Sequence, residues 1–93
     1  MPDSQIEDEL RSRARELVVA GQLPCGRPMH MWGGSGSDLP CSLCQERIPR
    51  SEVEYELEYR IAGGTRQYRF HFYCHTAWQL ECAHADALKG AAQ

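Results

Sequence analysis

Between Glu52 and His71, apolar and polar residues alternate almost without a break. Val53, Tyr55, Leu57, Tyr59 and Ile61 take one side, and Glu52, Glu54, Glu56, Glu58 and Arg60 the other. Successive strand residues point to opposite faces, so this period of two predicts a half-buried strand. Gly63-Gly64 follows as a turn pair, and Tyr68, Phe70 and Phe72 resume the alternation against Gln67, Arg69 and His71. A two-residue turn at Gly63-Gly64 pairs Tyr59 with Tyr68, Leu57 with Phe70 and Tyr55 with Phe72. The same turn sets Glu58 against Arg69 and Glu56 against His71. A slip of one residue would place apolar against polar throughout, so the assignment of faces is strongly specified.

The period changes on either side of this hairpin. Over residues 4–20, Ile6, Leu10, Ala14, Leu17 and Val18 recur at helical spacing. Ser4 and Glu7 have capping-box spacing, and Gly21 stands where a helix end favours positive φ. Glu9, Arg13 and Glu16 are assigned to the outward face. The stripe is read as a packing face, with a dimerisation helix as the alternative. From Cys74 the pattern is helical again: Cys74, Trp78, Glu81 or Cys82, Ala85 and Leu88 share one side, Gly90 ends the helix, and residues 91–93 fray. Residues 22–40 are expected to be irregular, punctuated by prolines and glycines, with GGSGSD of linker composition. Met29, Met31 and Trp32 are too apolar for a free linker; Trp32 is expected to pack back on the domain or to mark a partner surface. The resulting division is an N-terminal amphipathic helix (1–23), a Gly/Pro-rich linker (24–40) and a folded domain (41–90).

A chain of 93 residues suits one domain, and a domain this small often needs a staple. Its cysteines number five, an odd count that fits a disulfide framework poorly. The start, MPDSQIEDEL, lacks a basic segment followed by an apolar one, and no apolar run approaches the roughly 20 residues that span a bilayer. The expected compartment is therefore cytoplasmic, with thiols kept reduced, and no membrane partner is expected. Net charge is −3, with no clearly basic segment, which weighs against nucleic-acid binding.

The chemistry-bearing pattern is Cys41-x-x-Cys44 followed, after 26 residues, by His71-x-x-Cys74. Zn²⁺ takes about four nitrogen or sulfur ligands in a tetrahedron. A tight turn lets two thiolates grip one edge, and the hairpin returns the chain to supply the other two ligands. Cys74, in the first helical turn, gains from the positive end of the helix dipole. Three thiolates and one imidazole fill every position, which predicts a structural zinc and no enzymatic role. Glu56, placed opposite His71 by the derived register, is expected as the carboxylate behind the imidazole. His75 is the alternative to His71. Cys25, His30, Cys82 and His84 could form a second site, with Cys82 otherwise a small core residue.

A knuckle, a hairpin and a helix carrying ligands in its first turn resemble a treble-clef zinc finger. Residues 41–78 resemble the poly(ADP-ribose) polymerase-type finger in Cys41, Cys44, the Ile48-Pro49 pair, Phe70-His71-Phe72-Tyr73-Cys74 and Trp78. LIM-like fingers share the CxxC and HxxC, and small bacterial proteins share the FHxxC. The resemblance implies an α+β treble-clef domain, here with an appended N-terminal helix. For the polymerase-type family it also implies recognition of DNA breaks. That function does not carry over residue by residue. The family's backbone-contacting basic position is Glu54 here, and its base-stacking loop is Ala62-Gly63-Gly64. Trp78 falls two positions later than the family's tryptophan. The expected function is a zinc-stabilised module for protein interaction or regulation. A DNA-binding finger using Arg47, Arg50, Arg60, Arg66 and Arg69 is the second reading, and a thiol redox protein cycling Cys41 and Cys44 the third.

Overall fold

Helix α1 spans Ser4–Val19 and ends in a Schellman motif. Gly21 adopts φ 75°, its N–H donates to the Val18 carbonyl and the Gln22 N–H to that of Leu17, satisfying carbonyls that the last turn leaves open. The structure, a computed structural model, describes residues 4–91, with side chains from Ile6 to Ala87. The side chains of Ser4 and Leu88, and residues 92–93 of the expected fraying tail, lie outside what is described.

The chain then forms β1 (His30–Ser35), β2 (Val53–Ile61), β3 (Gly64–His71) and α2 (Phe72–Ala91). The three strands make one antiparallel sheet in the order β1-β2-β3. Two helices and a three-stranded antiparallel sheet place the molecule in the α+β class. β1 falls inside the stretch expected to be irregular: residues 30–35 pair along their whole length with Val53–Glu58. All six are exposed, so no burial pattern announces them, and Gly33-Gly34 has low strand propensity. Just beyond β1 the backbone passes so close to Pro49 that a Cβ at Gly36 would meet the Pro49 carbonyl oxygen.

The hairpin closes one step earlier than the glycine pair suggests. Ile61 pairs with Gly64, so Ala62-Gly63 is the turn, and Gly63 takes φ 90°. Every pairing therefore shifts by two residues. Leu57 faces Tyr68, Tyr55 faces Phe70, Glu56 faces Arg69 and Glu54 faces His71. A two-residue shift keeps each side chain on its own face, so the alternation could not distinguish the registers; the turn decides. β3 ends at His71, and Phe72 opens the helix instead of pairing with Tyr55.

The apolar sheet face carries the core. Leu57, Tyr59, Tyr68 and Phe70 are buried against Ala77, Trp78 and Cys82 of α2. Trp78 is fully buried and stacks on Phe70 with centroids 4.7 Å apart. Burying side chains of this size contributes about 2–3 kcal/mol each. The Trp78 indole N–H donates to the Pro24 carbonyl at 2.8 Å and the Tyr59 hydroxyl to Gly26 at 2.9 Å. The segment after α1 is thus held to the core. Cys25 and Cys82 form a disulfide, with Cα atoms 5.5 Å apart. The reading of these two cysteines as ligands of a second metal is corrected by that bond, while Cys82 lies in the core as expected. α1 lies along α2, Ala14 fully buried between them. α2 continues through Gly90 to Ala91 instead of stopping at the glycine.

Candidate metal centre

Cys41 and Cys44 lie on a tight knuckle whose arms are joined by a bridge between Pro40 and Arg47. Within it the Cys41 N–H donates to Glu46 and the Gln45 N–H to Cys41. Turning the chain this sharply puts Gln45 at φ 68°, a conformation that side chains other than glycine adopt at a cost. Leu43, between the cysteines, is fully buried, and its N–H points at Cys41 Sγ, 3.4 Å away. Ser42 fastens the knuckle to the edge of β3: its N–H donates to the Arg69 carbonyl at 2.7 Å, and its Oγ accepts from the Arg69 N–H at 3.0 Å. From the other side Arg13 Nε donates to the Leu43 carbonyl. Arg13, read from the sequence as outward-facing, instead links α1 to the knuckle.

The second pair of side chains comes from the junction of strand and helix. His71 is the last residue of β3, and Cys74 lies in the first turn of α2. His71 Nδ1 is 3.5 Å from Cys44 Sγ and 3.8 Å from Cys74 Sγ. The three sulfurs and a ring nitrogen all lie within 4.8 Å of one another, a spacing that could hold a metal ion. Cys41, His71 and Cys74 are buried and Cys44 is half-buried. His71 Nε2 is 3.2 Å from the Arg47 carbonyl oxygen. With Nδ1 turned toward the sulfurs, Nε2 carries the proton and donates it to that carbonyl. Tyr73 covers the outer side, its ring stacked on His71 with centroids 5.0 Å apart.

Glu56 is not the group behind the imidazole. Its carboxylate accepts from Arg69 at 3.0 Å, as the shifted register requires. Glu54, the residue now opposite His71, accepts instead from the Ser37 hydroxyl at 2.7 Å. A backbone carbonyl replaces the expected carboxylate, and no side-chain pattern in the sequence signals a backbone group. His75 stands apart from the cluster, packed on Tyr55, Phe70 and Trp78, where burial lowers its pKa. Among the described residues the second proposed cluster does not assemble: Cys25 and Cys82 are bonded to each other, and His30 stacks on Trp32.

Burial and mutual repulsion oppose ionisation of all three sulfurs at once. A bond from Cys74, opposed by burial and helped by backbone N–H groups, lowers Cys41 to about 4. The same bond and burial push Cys74 upward. Burial, together with the Cys41 charge, pushes Cys44 upward despite backbone support from Glu46. One thiolate is favoured and the next two are opposed. A divalent cation at their centre would remove that conflict, since metal ligation replaces protons on sulfur. Burial is the chief cause that raises the Tyr73 hydroxyl to about 12.

No family model, no curated protein and no solved structure matches this chain. The functional reading therefore rests on the geometry of the site and on its surroundings. No helix among the described residues is long and apolar enough to cross a membrane.

Proposed function

We propose that Cys41, Cys44, His71 and Cys74 hold one structural Zn²⁺, and that the chain is a zinc-stabilised protein-interaction module of treble-clef type. The carrying observation is the gathering of three sulfurs and Nδ1 of His71 within 4.8 Å. Zn–S and Zn–N bonds of about 2.3 and 2.0 Å give a tetrahedron with S···N edges of about 3.5 Å and S···S edges of about 3.8 Å. Two of the three S···N separations, 3.5 and 3.8 Å, lie close to that requirement, and the remaining pairs fall within 4.8 Å. Four protein ligands would complete the coordination, leaving no position for water or substrate, which favours a structural over an enzymatic role. The order knuckle, hairpin, helix, with ligands from the knuckle and from the strand–helix junction, supports the treble-clef reading.

The nucleic-acid reading loses support from the charges. Arg69 is engaged by Glu54 and Glu56, and Arg50 by Asp38. The polar sheet face that carries Glu54, Glu56 and Glu58 is lined by carboxylates that repel phosphate. A cytoplasmic placement carries the expectation of reduced thiols; the Cys25–Cys82 disulfide weighs against it, and the zinc reading does not depend on it.

Metal analysis of the purified protein tests the proposal. One zinc per chain is expected. Cys74→Ser should lose the metal and, with it, most of the helical and sheet circular dichroism, because metal affinity and folding free energy are one quantity in a domain of this kind. A metal-free protein that melts cooperatively, or a Cys74→Ser variant with the stability of the parent, would sink it.

A further inference from the structure

β1 has a neighbour on one side only. In the order β1-β2-β3 its outer edge has no partner among the described residues, and all six of its residues are exposed. The Gly36 N–H donates to the Glu52 carbonyl. Strand alternation then turns the N–H and C=O groups of Met31, Gly33 and Ser35 away from β2. Edge strands are commonly protected by charge, proline or a covering segment. His30–Ser35 holds no Lys, Arg, Asp, Glu or Pro. Beside the glycines lies a shallow hollow of about 420 Å³, bordered by Gly33, Gly34, Val53 and Tyr55.

The side chains beside this edge have a definite character. Register places His30 opposite Glu58 and Trp32 opposite Glu56 on one sheet face. Trp32 is 45% exposed, and its ring stacks on His30 with centroids 5.4 Å apart. Glu56 is engaged by Arg69; Glu58 forms no ion pair among the described residues. A strand laid along β1 would present alternate side chains to this face. Cationic ones would lie over the indole, where the ring quadrupole attracts them, and near the Glu58 carboxylate.

We propose that the outer edge of β1 accepts a fourth strand, an extended segment of a partner protein with Lys or Arg at alternate positions. This rests on the reading of the chain as an interaction module. The outward N–H and C=O groups would supply affinity, while Trp32 and Glu58 would supply selection for positive charge, the division of labour in strand addition. A second copy of the chain fits this edge poorly, because it would bring another net charge of −3 and a second carboxylate face alongside the first.

The test uses zinc-loaded full-length protein and a synthetic nine-residue peptide alternating Lys with Val or Thr. Two control peptides carry Glu for Lys, or N-methyl groups along the bonding edge. Binding is read from Trp32 fluorescence, Trp78 being buried, and from the amide resonances of Met31, Gly33 and Ser35. The Lys peptide should shift both signals and slow exchange of those amides, and neither control should do so. Glu58→Lys should weaken binding about fivefold, the scale of a partly screened charge pair, and added salt should weaken it further.

Equal binding of the Glu peptide, or binding that survives N-methylation, overturns the proposal. So does absence of binding by protein carrying its one zinc, and so does pairing of β1 with β1 of a second copy in sedimentation and cross-linking. Protein that holds no zinc signals failure of the underlying reading instead, and metal analysis of the same sample separates the two outcomes.

Discussion

Gln45 shows how single residues shape the candidate metal centre. It follows the second knuckle cysteine and takes φ 68° so that its N–H can reach the Cys41 carbonyl. A left-handed conformation costs an ordinary residue roughly 1–2 kcal/mol, part of which glycine recovers. Gln45→Gly is therefore expected to raise stability by about 0.5–1 kcal/mol, measured as a higher denaturant midpoint at unchanged m-value. A lower midpoint would show that the Gln45 side chain contributes more than its backbone loses. At this scale the sequence was legible where a side chain bears the chemistry and silent where the backbone does. Cys41, Cys44, His71 and Cys74 stood out by spacing. The Arg47 carbonyl behind His71, and the Ser42 hydrogen bonds that fasten the knuckle to β3, left no trace in the pattern.

Between elements, the junction of α1 and α2 is partly electrostatic. The Glu81 side chain is 1% exposed and meets Arg11 at 3.1 Å and Arg15 at 3.2 Å. Burial alone would raise its carboxyl, but the hydrogen bonds and charges of Arg15 and Arg11 outweigh that effect and hold it below its ordinary value of 4.5. A depressed carboxylate pKa stabilises the fold fully above the unfolded-state value, and the contribution disappears as pH falls through the folded-state value. Stability of the parent should thus fall steadily below about pH 4.5. Glu81→Gln should be less stable than the parent at pH 7 by about 1–2 kcal/mol, and the gap should narrow toward pH 3. Parallel curves at all pH values would remove the ion pairs from the account. Helical spacing identified the stripe of α1, but not the arginines at its margin that reach Glu81. The hairpin shows a related limit. Period-two alternation fixed which face each residue takes, yet two registers satisfied it, and the corner at Ala62-Gly63 decided between them. β1 was missed because its pairing with β2 is long-range and all its residues remain exposed.

Across the whole molecule, α2 carries one disulfide and, on the proposed zinc reading, a second and independent attachment. Cys74 in its first turn belongs to the cluster that could hold a metal ion, and Cys82, two turns later, is bonded to Cys25 across 57 positions of sequence. The odd cysteine count argued against a disulfide, but three cysteines in the candidate metal cluster leave two for the bridge. On the chain-entropy account a bridge closing a loop of this length stabilises by about 4 kcal/mol. The Cys25→Ser/Cys82→Ser protein should therefore lose about 4 kcal/mol in denaturant unfolding while still binding one zinc per chain, since neither residue belongs to the cluster. The same variant treated with a chelator should be unfolded at 25 °C, because the remaining core is that of a small domain with little surplus stability. Loss of zinc from the double variant without chelator would mean that the disulfide holds the metal ligands in place, and the two closures would have to be treated as one.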